Sequence, residues 1–521
     1  MEIKASSRAP LIERMIGLLA AKAREYRIPL FASMLTGLLT YGFAFSNKLV
    51  NHDEVFCLFS KGATVDSGRW GLGLLDNIFP NYSMPWIYGI ITITLIAISI
   101  CLMVHIFSIQ NKLLQVLLAG NVIAFPSLIG TFGYMFTSSS YGVSFLLAVL
   151  AVWLLQTECR SNALWALMAM IASLSIYQSY IAIAASLLVL ILIQQLLHGE
   201  KVFSVLRRGI GFVVFLLLSL GLYYLVTQAV LHITNTQFNL YTANNLEFSI
   251  TAIPANISLA YTSFLRFFTE SYHGLIPTPL SRLAHYICFI SAGILLLLWG
   301  LPRKNREFPR ILLLLVLLGL LPLAVNCMYL ITSADSIHTL VLYGFISLYI
   351  LTAVIADACL SLYSHNQFFL LFRNTAHNLL LIAISVILLI NIYTANETYL
   401  NLYLRYENAY AFYTSLIADI KMMPEFEEGT KLAILGTYEQ PDFYEEHFPS
   451  SGQITGVYGF IPDSYSKERF LYYYLGFSVP FASTEEAEFI QASQEYQEMS
   501  EYPYYGSIKM IGDTLVVKLS S

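Results

Sequence analysis

Two adjacent carboxylates, Asp53 and Glu54, lie about seven residues beyond the first long apolar run of the sequence. The spacing of Val55, Leu58 and Phe59 predicts a short helix that lies flat at a membrane surface, with both acids at its N-terminus. The positive end of the helix dipole keeps a carboxylate ionised there, and a general base must be ionised. The pair is therefore a candidate general base. The simpler alternative is that both carboxylates only face water.

The same loop continues with Gly68, Arg69 and Trp70. Gly68 is expected to end the helix and to present the two side chains that follow. A guanidinium group matches the geometry of a phosphate, and an indole ring suits either a sugar ring or the headgroup layer of a membrane. The loop thus suits chemistry on a sugar at the membrane surface, although Trp70 is explained equally well as an interface anchor.

The elements that must position this loop are membrane spans. The chain has 521 residues, of which 57% are hydrophobic and 12% charged, whereas soluble domains have about 25% charged residues. A span needs about 20 mostly apolar residues, so we split the long run at 163–197 at the polar turn 177–180. The sequence then predicts eleven helices, at 29–46, 87–109, 113–131, 141–157, 163–177, 180–197, 209–231, 285–301, 311–330, 339–358 and 377–394.

The distribution of Lys and Arg orients these helices. Sixteen of these residues lie in segments that are cytoplasmic if the N-terminus is cytoplasmic, and five lie in the alternate loops. We therefore expect a cytoplasmic N-terminus and, because the number of helices is odd, an external C-terminus. The external regions are then loops 47–86, 232–284 and 331–338 and the tail from about 395.

The predicted fold is a polytopic α-helical membrane protein with a small C-terminal α/β domain. It has a basic amphipathic arm on the cytoplasmic leaflet at 1–28, a transmembrane domain at 29–394 and an external part at 395–521. Within the external part the residue pattern predicts, in order, a helix at 397–423, a strand at 431–436, an acidic helix at 484–500 and a hairpin at 507–519 that turns at 512–513.

The other external loops contain further candidate site residues. Two arginines, Arg266 and Arg282, offer the cations that a lipid phosphate needs, and His273 and Tyr177 are candidates for contact with a sugar or a lipid. A single Arg or His at this depth is more often a headgroup contact. The short outer loop is flanked by Asp335 and His338. Acidic residues from separate loops are able to bind a divalent ion, but no spacing requires a metal and no cofactor is indicated.

The motifs of the first loop carry a resemblance. The Asp53-Glu54 pair after the first span, with its interfacial helix, resembles the acidic motif of the C-type membrane glycosyltransferases and is similar to the Asp-Glu motif of protein mannosyltransferases. The wider pattern resembles the O-antigen glucosyltransferases of bacterial serotype conversion. The points of likeness are the acidic pair with Ser67-Gly68-Arg69-Trp70, the Tyr177-Gln178 turn, and the tail motifs Tyr502-Pro503, Gly506-Ser507-Ile508-Lys509 and Val516-Val517-Lys518-Leu519.

The resemblance implies inverting transfer of a glucosyl group from undecaprenyl phosphate to an O-antigen hydroxyl of lipopolysaccharide, at the periplasmic face of the bacterial inner membrane. Asp53 would then remove the acceptor proton, Glu54 would position the acceptor or share the base role, and Arg69 would hold the departing phosphate. Some members of the superfamily use a divalent metal. The implied partners are the lipid-linked donor, a glycan acceptor and membrane lipid, with no role for nucleic acid.

Two other classes of function stay open at this point. A flippase or O-antigen polymerase would move or polymerise lipid-linked glycan, and a receptor or scaffold would only bind through its external part. Ionisable residues inside spans mark ion paths and transport routes. Only Asp357 lies near a predicted span, at its cytoplasmic end, and this pattern favours an enzyme that works at the external surface over a transporter.

Overall fold

The computed structural model describes residues 10–60, 62, 64–75, 77–79, 82–157, 160–245, 250–272, 275–300, 308–360, 366–438, 443–448, 454–457 and 466–519. These residues are mostly helical, with one small sheet near the C-terminus. The first half contains α1 (Leu11–Glu25), α2 (Arg27–Ser46), α3 (His52–Phe56), α4 (Trp70–Leu75), α5 (Pro85–Ile106), α6 (Lys112–Ile123), α7 (Pro126–Gly133), α8 (Met135–Leu154), α9 (Arg160–Ile176), α10 (Ile181–Leu197) and α11 (Val202–Ile233). The second half contains α12 (Leu240–Asn245), α13 (Ile253–Thr269), α14 (Pro279–Gly300), α15 (Phe308–Val325), α16 (Ile346–Leu360), α17 (Gln367–Met422), β1 (Lys431–Leu435), α18 (Phe443–His447), α19 (Lys467–Leu475), α20 (Thr484–Gln491), α21 (Gln494–Gln497), β2 (Ile508–Ile511) and β3 (Thr514–Lys518).

The helices give a multi-span membrane protein. Within the described residues, nine helices are long and apolar enough to cross a membrane, and the bent pair α6–α7 raises the number to ten. Every one of the eleven predicted runs coincides with a helix or with this pair. The count differs from eleven because α9, with the apolar stretch Ser161–Ile176, is shorter than a span. The turn predicted at 177–180 is the short 3-10 helix Gln178–Tyr180, which separates α9 from α10.

The pair α6–α7 together has the length and composition of one span and is bent by 41° at the break between the two helices. Asn111 begins α6, since its side-chain oxygen accepts hydrogen bonds from the backbone of the first turn. Pro126 begins α7, at a position where a missing N–H costs no helical hydrogen bond. All eight residues of α7 are buried, which is the setting in which interrupted helices are tolerated at membrane depth. The last of them, Gly133, accepts a hydrogen bond from the side chain of Asn51, the residue before α3.

Small side chains allow the central helices to approach closely. In the contact between α8 and α9, the hydroxyl groups of Ser144 and Ser173 each donate to the other residue's carbonyl oxygen at 2.8 Å. A small residue also allows the first loop to pack closely: a Cβ atom on Gly71 of α4 would lie 2.1 Å from Oγ of Ser175 in α9. Interfaces of this kind are typical of helix packing in membranes, and here they fix α4 on the helix bundle.

The last span continues without a break into the C-terminal part, because α17 runs for 56 residues. Beyond it, β1 pairs in parallel with β3, and β2 pairs antiparallel with β3 through a turn in which Gly512 has φ +62°. The strand and the hairpin therefore lie where the sequence predicts them. The acidic helix predicted at 484–500 is two helices, α20 and α21, because Ser493 caps a new N-terminus. The predicted N-terminal helix is found as α1.

Candidate functional site

A cavity of about 440 Å³ lies between the first loop and the helices around it. The loop supplies Asp53, Cys57, Ser67, Arg69 and Leu72 to its wall. The opposite wall comes from the start of α8, the 177–179 turn, the C-terminal half of α11, the segment 238–242 and the segment 328–341. Sites for small ligands commonly measure about 300–1,000 Å³, so this cavity is large enough for a sugar.

Asp53 is held in this wall by the way α3 begins. The side-chain oxygen of Asn51 accepts the backbone N–H of Glu54 at 2.7 Å, which is a standard N-cap. The amide nitrogen of Asn51 donates to the carbonyl oxygen of Gly133 at 2.8 Å, which ties the cap to α7. The predicted helix with both acids in its first turn is therefore confirmed. It ends at Phe56, earlier than predicted, so Phe59 is 61% exposed and does not extend the apolar face of the helix.

Glu54 has a different environment from its neighbour. Its side chain is fully buried and forms an ion pair with Lys48. Its second oxygen accepts the backbone N–H of Phe136 at 3.4 Å. Glu54 is not among the residues that line the cavity, so its position does not support the acceptor-binding or shared-base role predicted for it. The ion pair with Lys48 joins two positions of the first loop.

Arg69 lies in the cavity wall directly after Gly68, but Gly68 ends the 3-10 helix Val65–Ser67 and not the predicted helix of the two acids, which ends at Phe56. Gly68 has φ +71°, and a Cβ atom there would lie 2.8 Å from the hydroxyl oxygen of Tyr223, so both the conformation and the space favour glycine. The guanidinium group of Arg69 donates to the hydroxyl of Tyr141 at 3.2 Å and lies 5.5 Å from the ring centre of Tyr177. The two tyrosine rings stack with their centroids 4.3 Å apart. A guanidinium group held by one tyrosine hydroxyl and one tyrosine ring therefore lies in the cavity wall.

Three polar side chains that the sequence does not predict as site residues make hydrogen bonds to the segment 66–68 beside Arg69. The amide of Gln178 donates to the carbonyl oxygen of Ser67 at 3.1 Å and to the hydroxyl of Tyr223 at 2.9 Å. That hydroxyl in turn donates to the carbonyl oxygen of Gly68 at 3.0 Å. The amide of Asn239 donates to the carboxylate of Asp66 at 3.3 Å. The only sequence signal for any of them is the position of Gln178 in the polar turn.

The remaining predicted residues lie in different places. Trp70 donates from its indole nitrogen to Oγ1 of Thr227 at 3.2 Å and joins α4 to α11, outside the lining of the cavity. Tyr177 is in the lining and 96% buried, and His338 of the short outer loop is also in the lining.

Burial of Cys57 raises the pKa of its thiol to about 12, so this cavity residue is a weak nucleophile.

The two arginines of the second loop are not brought to the cavity. Arg266 forms an ion pair with Glu270 at 3.4 Å, and both side chains are more than half exposed. Arg282 donates to the carbonyl oxygen of Thr269 at 3.5 Å. Neither residue lines the cavity. His273 lies outside the described residues.

The chemistry available in the cavity is that of a carboxylate and a guanidinium group on one loop. Among the residues that the structure describes, no group of three or more His, Cys, Asp or Glu side chains is arranged to hold a metal ion. The carboxylate of Asp53 is able to accept a proton, and the guanidinium group of Arg69 is able to bind a phosphate.

One comparison with known proteins identifies a family. A family model described as glucosyl transferase GtrII matches residues 42–351, which is more than half of the chain and includes every residue that lines the cavity. No curated protein matches the chain.

Proposed function

Because this chain belongs to the glucosyl transferase GtrII family, we propose that it transfers a glucosyl group from undecaprenyl phosphate to a hydroxyl group of an O-antigen sugar. The reaction takes place at the periplasmic face of a bacterial inner membrane and inverts the configuration at C1. The observation that carries the proposal is that one cavity is lined by both Asp53 and Arg69. A general base and a phosphate ligand are the two groups that this transfer needs.

In the proposed step, the acceptor oxygen attacks C1 of the glucosyl group from the face opposite the lipid phosphate. The bond between C1 and the phosphate oxygen breaks as the new C1–O bond forms. The acceptor proton passes to the carboxylate of Asp53, and the bonding electron pair leaves with the phosphate. The negative charge that grows on this phosphate is stabilised by Arg69, whose guanidinium group is held by Tyr141 and Tyr177.

The two acids of the loop divide their roles in this proposal. Asp53 is the base because its side chain lines the cavity, and Glu54 is a structural residue because it is buried against Lys48. The hydroxyl of Tyr141 and the ring of Tyr177 keep Arg69 in one orientation, so little side-chain entropy is lost when the phosphate binds.

The structure also explains why a charged residue, Asp357, lies near the end of a span. The two oxygens of Asp357 accept the backbone N–H groups of Gln110 and Asn111, at 3.1 and 2.8 Å. These residues immediately precede α6, so the carboxylate anchors a turn. Asp357 is thus engaged in hydrogen bonds at the end of a span. This favours the enzyme over a flippase, which would need charged groups along a route through the spans.

The function is tested by analysis of lipopolysaccharide from bacteria with and without the gene. We expect a glucosyl substituent on the O-antigen only when the gene is present, and the same chain-length distribution in both. A change in O-antigen length without a new substituent would indicate a polymerase. Loss of all surface O-antigen without the gene would indicate a flippase. Either result would contradict the proposal.

The proposed topology places 1–28 in the cytoplasm, 29–394 in the membrane with periplasmic loops at 47–86 and 232–284, and 395–521 in the periplasm. Alkaline phosphatase is active only outside the cytoplasm, so fusions after Arg160 and after Asn396 test this arrangement. We expect activity only for the fusion after Asn396. Activity for the fusion after Arg160 would reverse the orientation and place the cavity on the wrong side for a periplasmic acceptor.

A further inference from the structure

The part of the chain beyond the family match contacts the helix that carries Asp53. The match ends at residue 351, yet α19, which begins more than a hundred residues later, packs against α3. Arg469 of α19 makes the main contact. Its guanidinium group donates to the carbonyl oxygen of Phe56, the last residue of α3, and lies 3.7 Å from the centre of the Phe56 ring.

Two further hydrogen bonds hold the beginning of the same helix. The ring nitrogen Nδ1 of His52 and the hydroxyl of Ser466 are 3.1 Å apart, and Ser466 is the residue before α19. The amide nitrogen of Asn51 donates to the carbonyl oxygen of Gly456 at 2.7 Å. The C-terminal part therefore contacts α3 at both ends, with Asp53 between the contacts.

The contact surface of α19 is itself rigidly supported. Phe470 and Leu471 are fully buried. The Phe470 ring lies 6.0 Å from Tyr413 and 6.3 Å from Tyr406, which are both on α17. Since α17 is one continuous helix that includes the last span, these contacts also join α19 to the helix bundle. A displacement of α3 would have to break these contacts or move α19 with it.

The segment around Gly456 also fits closely against the C-terminal end of α7. Gly456 has φ +83°, and a Cβ atom there would lie 2.5 Å from the ring of Tyr134. A Cβ atom on Gly133 would lie 2.7 Å from the carbonyl oxygen of Gly456. Glycine at both positions allows the two backbones to meet and to share the amide of Asn51.

We propose that Arg469 is a positioning residue for Asp53, and that the C-terminal part of the chain holds α3 in the orientation that directs this carboxylate into the cavity. The inference rests on the proposed role of Asp53 for its catalytic consequence, but its structural consequence is independent of any activity. A misplacement of about 1 Å costs on the order of 10²-fold in rate, so the contact matters even though Arg469 touches no substrate.

The test compares three variants in the full-length protein. Arg469→Ala removes both the hydrogen bond and the ring contact, and Arg469→Lys keeps a donor but loses the planar group. The matched control is Lys421→Ala, because Lys421 makes a similar contact with the Phe477 ring, at 5.6 Å, on the same part of the chain. Lys421 does not line the cavity.

The first measurement is the rate at which a maleimide labels Cys57, quantified by mass spectrometry of the peptide that contains it. Cys57 follows α3 directly, and it is only 4% exposed. Local opening of α3 would expose it. We expect labelling on the order of tenfold faster for Arg469→Ala, an intermediate rate for Arg469→Lys, and the wild-type rate for Lys421→Ala. An unchanged rate for Arg469→Ala overturns the proposal, whether or not the protein transfers glucose.

The second measurement is the kinetics of glucosyl transfer. We expect Arg469→Ala to lower kcat by about 10²-fold with little change in KM for the lipid donor, and Arg469→Lys to recover part of the loss. If wild-type protein transfers glucose and Arg469→Ala has the wild-type kcat, the positioning role is wrong while the proposed function stands. If wild-type protein transfers no glucose, the proposed function fails and the labelling result alone decides the inference.

Discussion

The first loop (47–86) and the second long loop (232–284) look alike in the sequence, but the structure places their charged side chains differently. Both are predicted to be external, and both contain arginines suited to a phosphate. The first loop brings Asp53 and Arg69 to one cavity. The arginines of the second loop, Arg266 and Arg282, contact residues of that same loop instead. A charge of the right type at the right depth is therefore not sufficient to form a site.

The difference lies in what holds each backbone. The first loop is tied to distant parts of the chain by Asn51, by Gln178 and Tyr223, and by Arg469. In the second loop, α13 packs against α15, and the amide of Asn326 donates to the carbonyl oxygen of Ala260 at 2.9 Å. That packing leaves Arg266 on the exposed side, where Glu270 is its partner.

The largest expected effect separates the two neighbouring acids. Asp53→Asn should reduce glucosylation of the O-antigen by about 10²–10⁴-fold because it removes the proposed general base, while the amount of folded protein stays normal. Glu54→Gln should instead lower the amount and the thermal stability of the protein, since it leaves Lys48 without its buried partner. Glycan analysis and quantitative blotting on the same cells measure both. A stable Glu54→Gln protein without activity, beside an active Asp53→Asn protein, would exchange the two assignments.

The next effect concerns Arg69, the proposed phosphate ligand. Arg69→Ala should lower kcat by about 10²–10³-fold, as does loss of a group that stabilises developing negative charge. Arg69→Lys should recover only part of this, because an ammonium group lacks the planar fork that the Tyr141 hydroxyl and the Tyr177 ring orient. Transfer rates with purified protein and lipid donor test this, and equal rates for Arg69→Lys and wild type would contradict the proposed geometry.

A smaller effect is expected from the support of the Gly68 turn. Tyr223→Phe removes the donor to the carbonyl oxygen of Gly68 and a partner of Gln178, and a hydrogen bond of this kind contributes about 0.5–1.5 kcal/mol. We expect a loss of about 2- to 12-fold in kcat/KM. A loss as large as that of Arg69→Ala would instead indicate that the Tyr223 hydroxyl contacts the substrate.

The smallest effect is expected in the second loop. Arg266→Ala should leave transfer within about threefold of wild type, since substitutions of exposed residues usually change stability by no more than about 0.5 kcal/mol and its ion pair with Glu270 is exposed. A matched measurement on Arg282→Ala extends the comparison. A loss of 10²-fold or more for either variant would show that the second loop supplies phosphate ligands after all, and the contrast between the loops would fail.

Local patterns in the sequence account for much of the architecture. Apolar length predicts the helices, and the polar turn at 177–180 and the strand at 431–436 are found close to their predicted places. The acids at the start of α3 and the glycine before Arg69 are also local signals, because a cap and a left-handed residue act on adjacent backbone. These patterns therefore predict the parts of the structure that are determined by residues close together in the sequence.

The burial of Glu54 and the environment of Arg69 depend on residues far away in the chain. The N–H that Glu54 accepts belongs to Phe136, and the hydroxyl that holds Arg69 belongs to Tyr141, 72 residues from it. The contact of Arg469 with Phe56 spans 413 residues. No periodicity or motif in one sequence reports such pairs, since they are set by tertiary packing. The two equivalent acids of the sequence are distinguished only by this packing.

The most direct test of the central claim measures donor binding and transfer together for Asp53→Asn in lipid nanodiscs, with the lipid-phosphate glucose donor and an O-antigen acceptor. In the proposed mechanism the carboxylate acts on the acceptor hydroxyl, so we predict that the variant binds the donor at least as tightly as wild type while single-turnover transfer falls by at least about 10²-fold. Transfer at the wild-type rate by a variant that binds the donor normally would contradict the account.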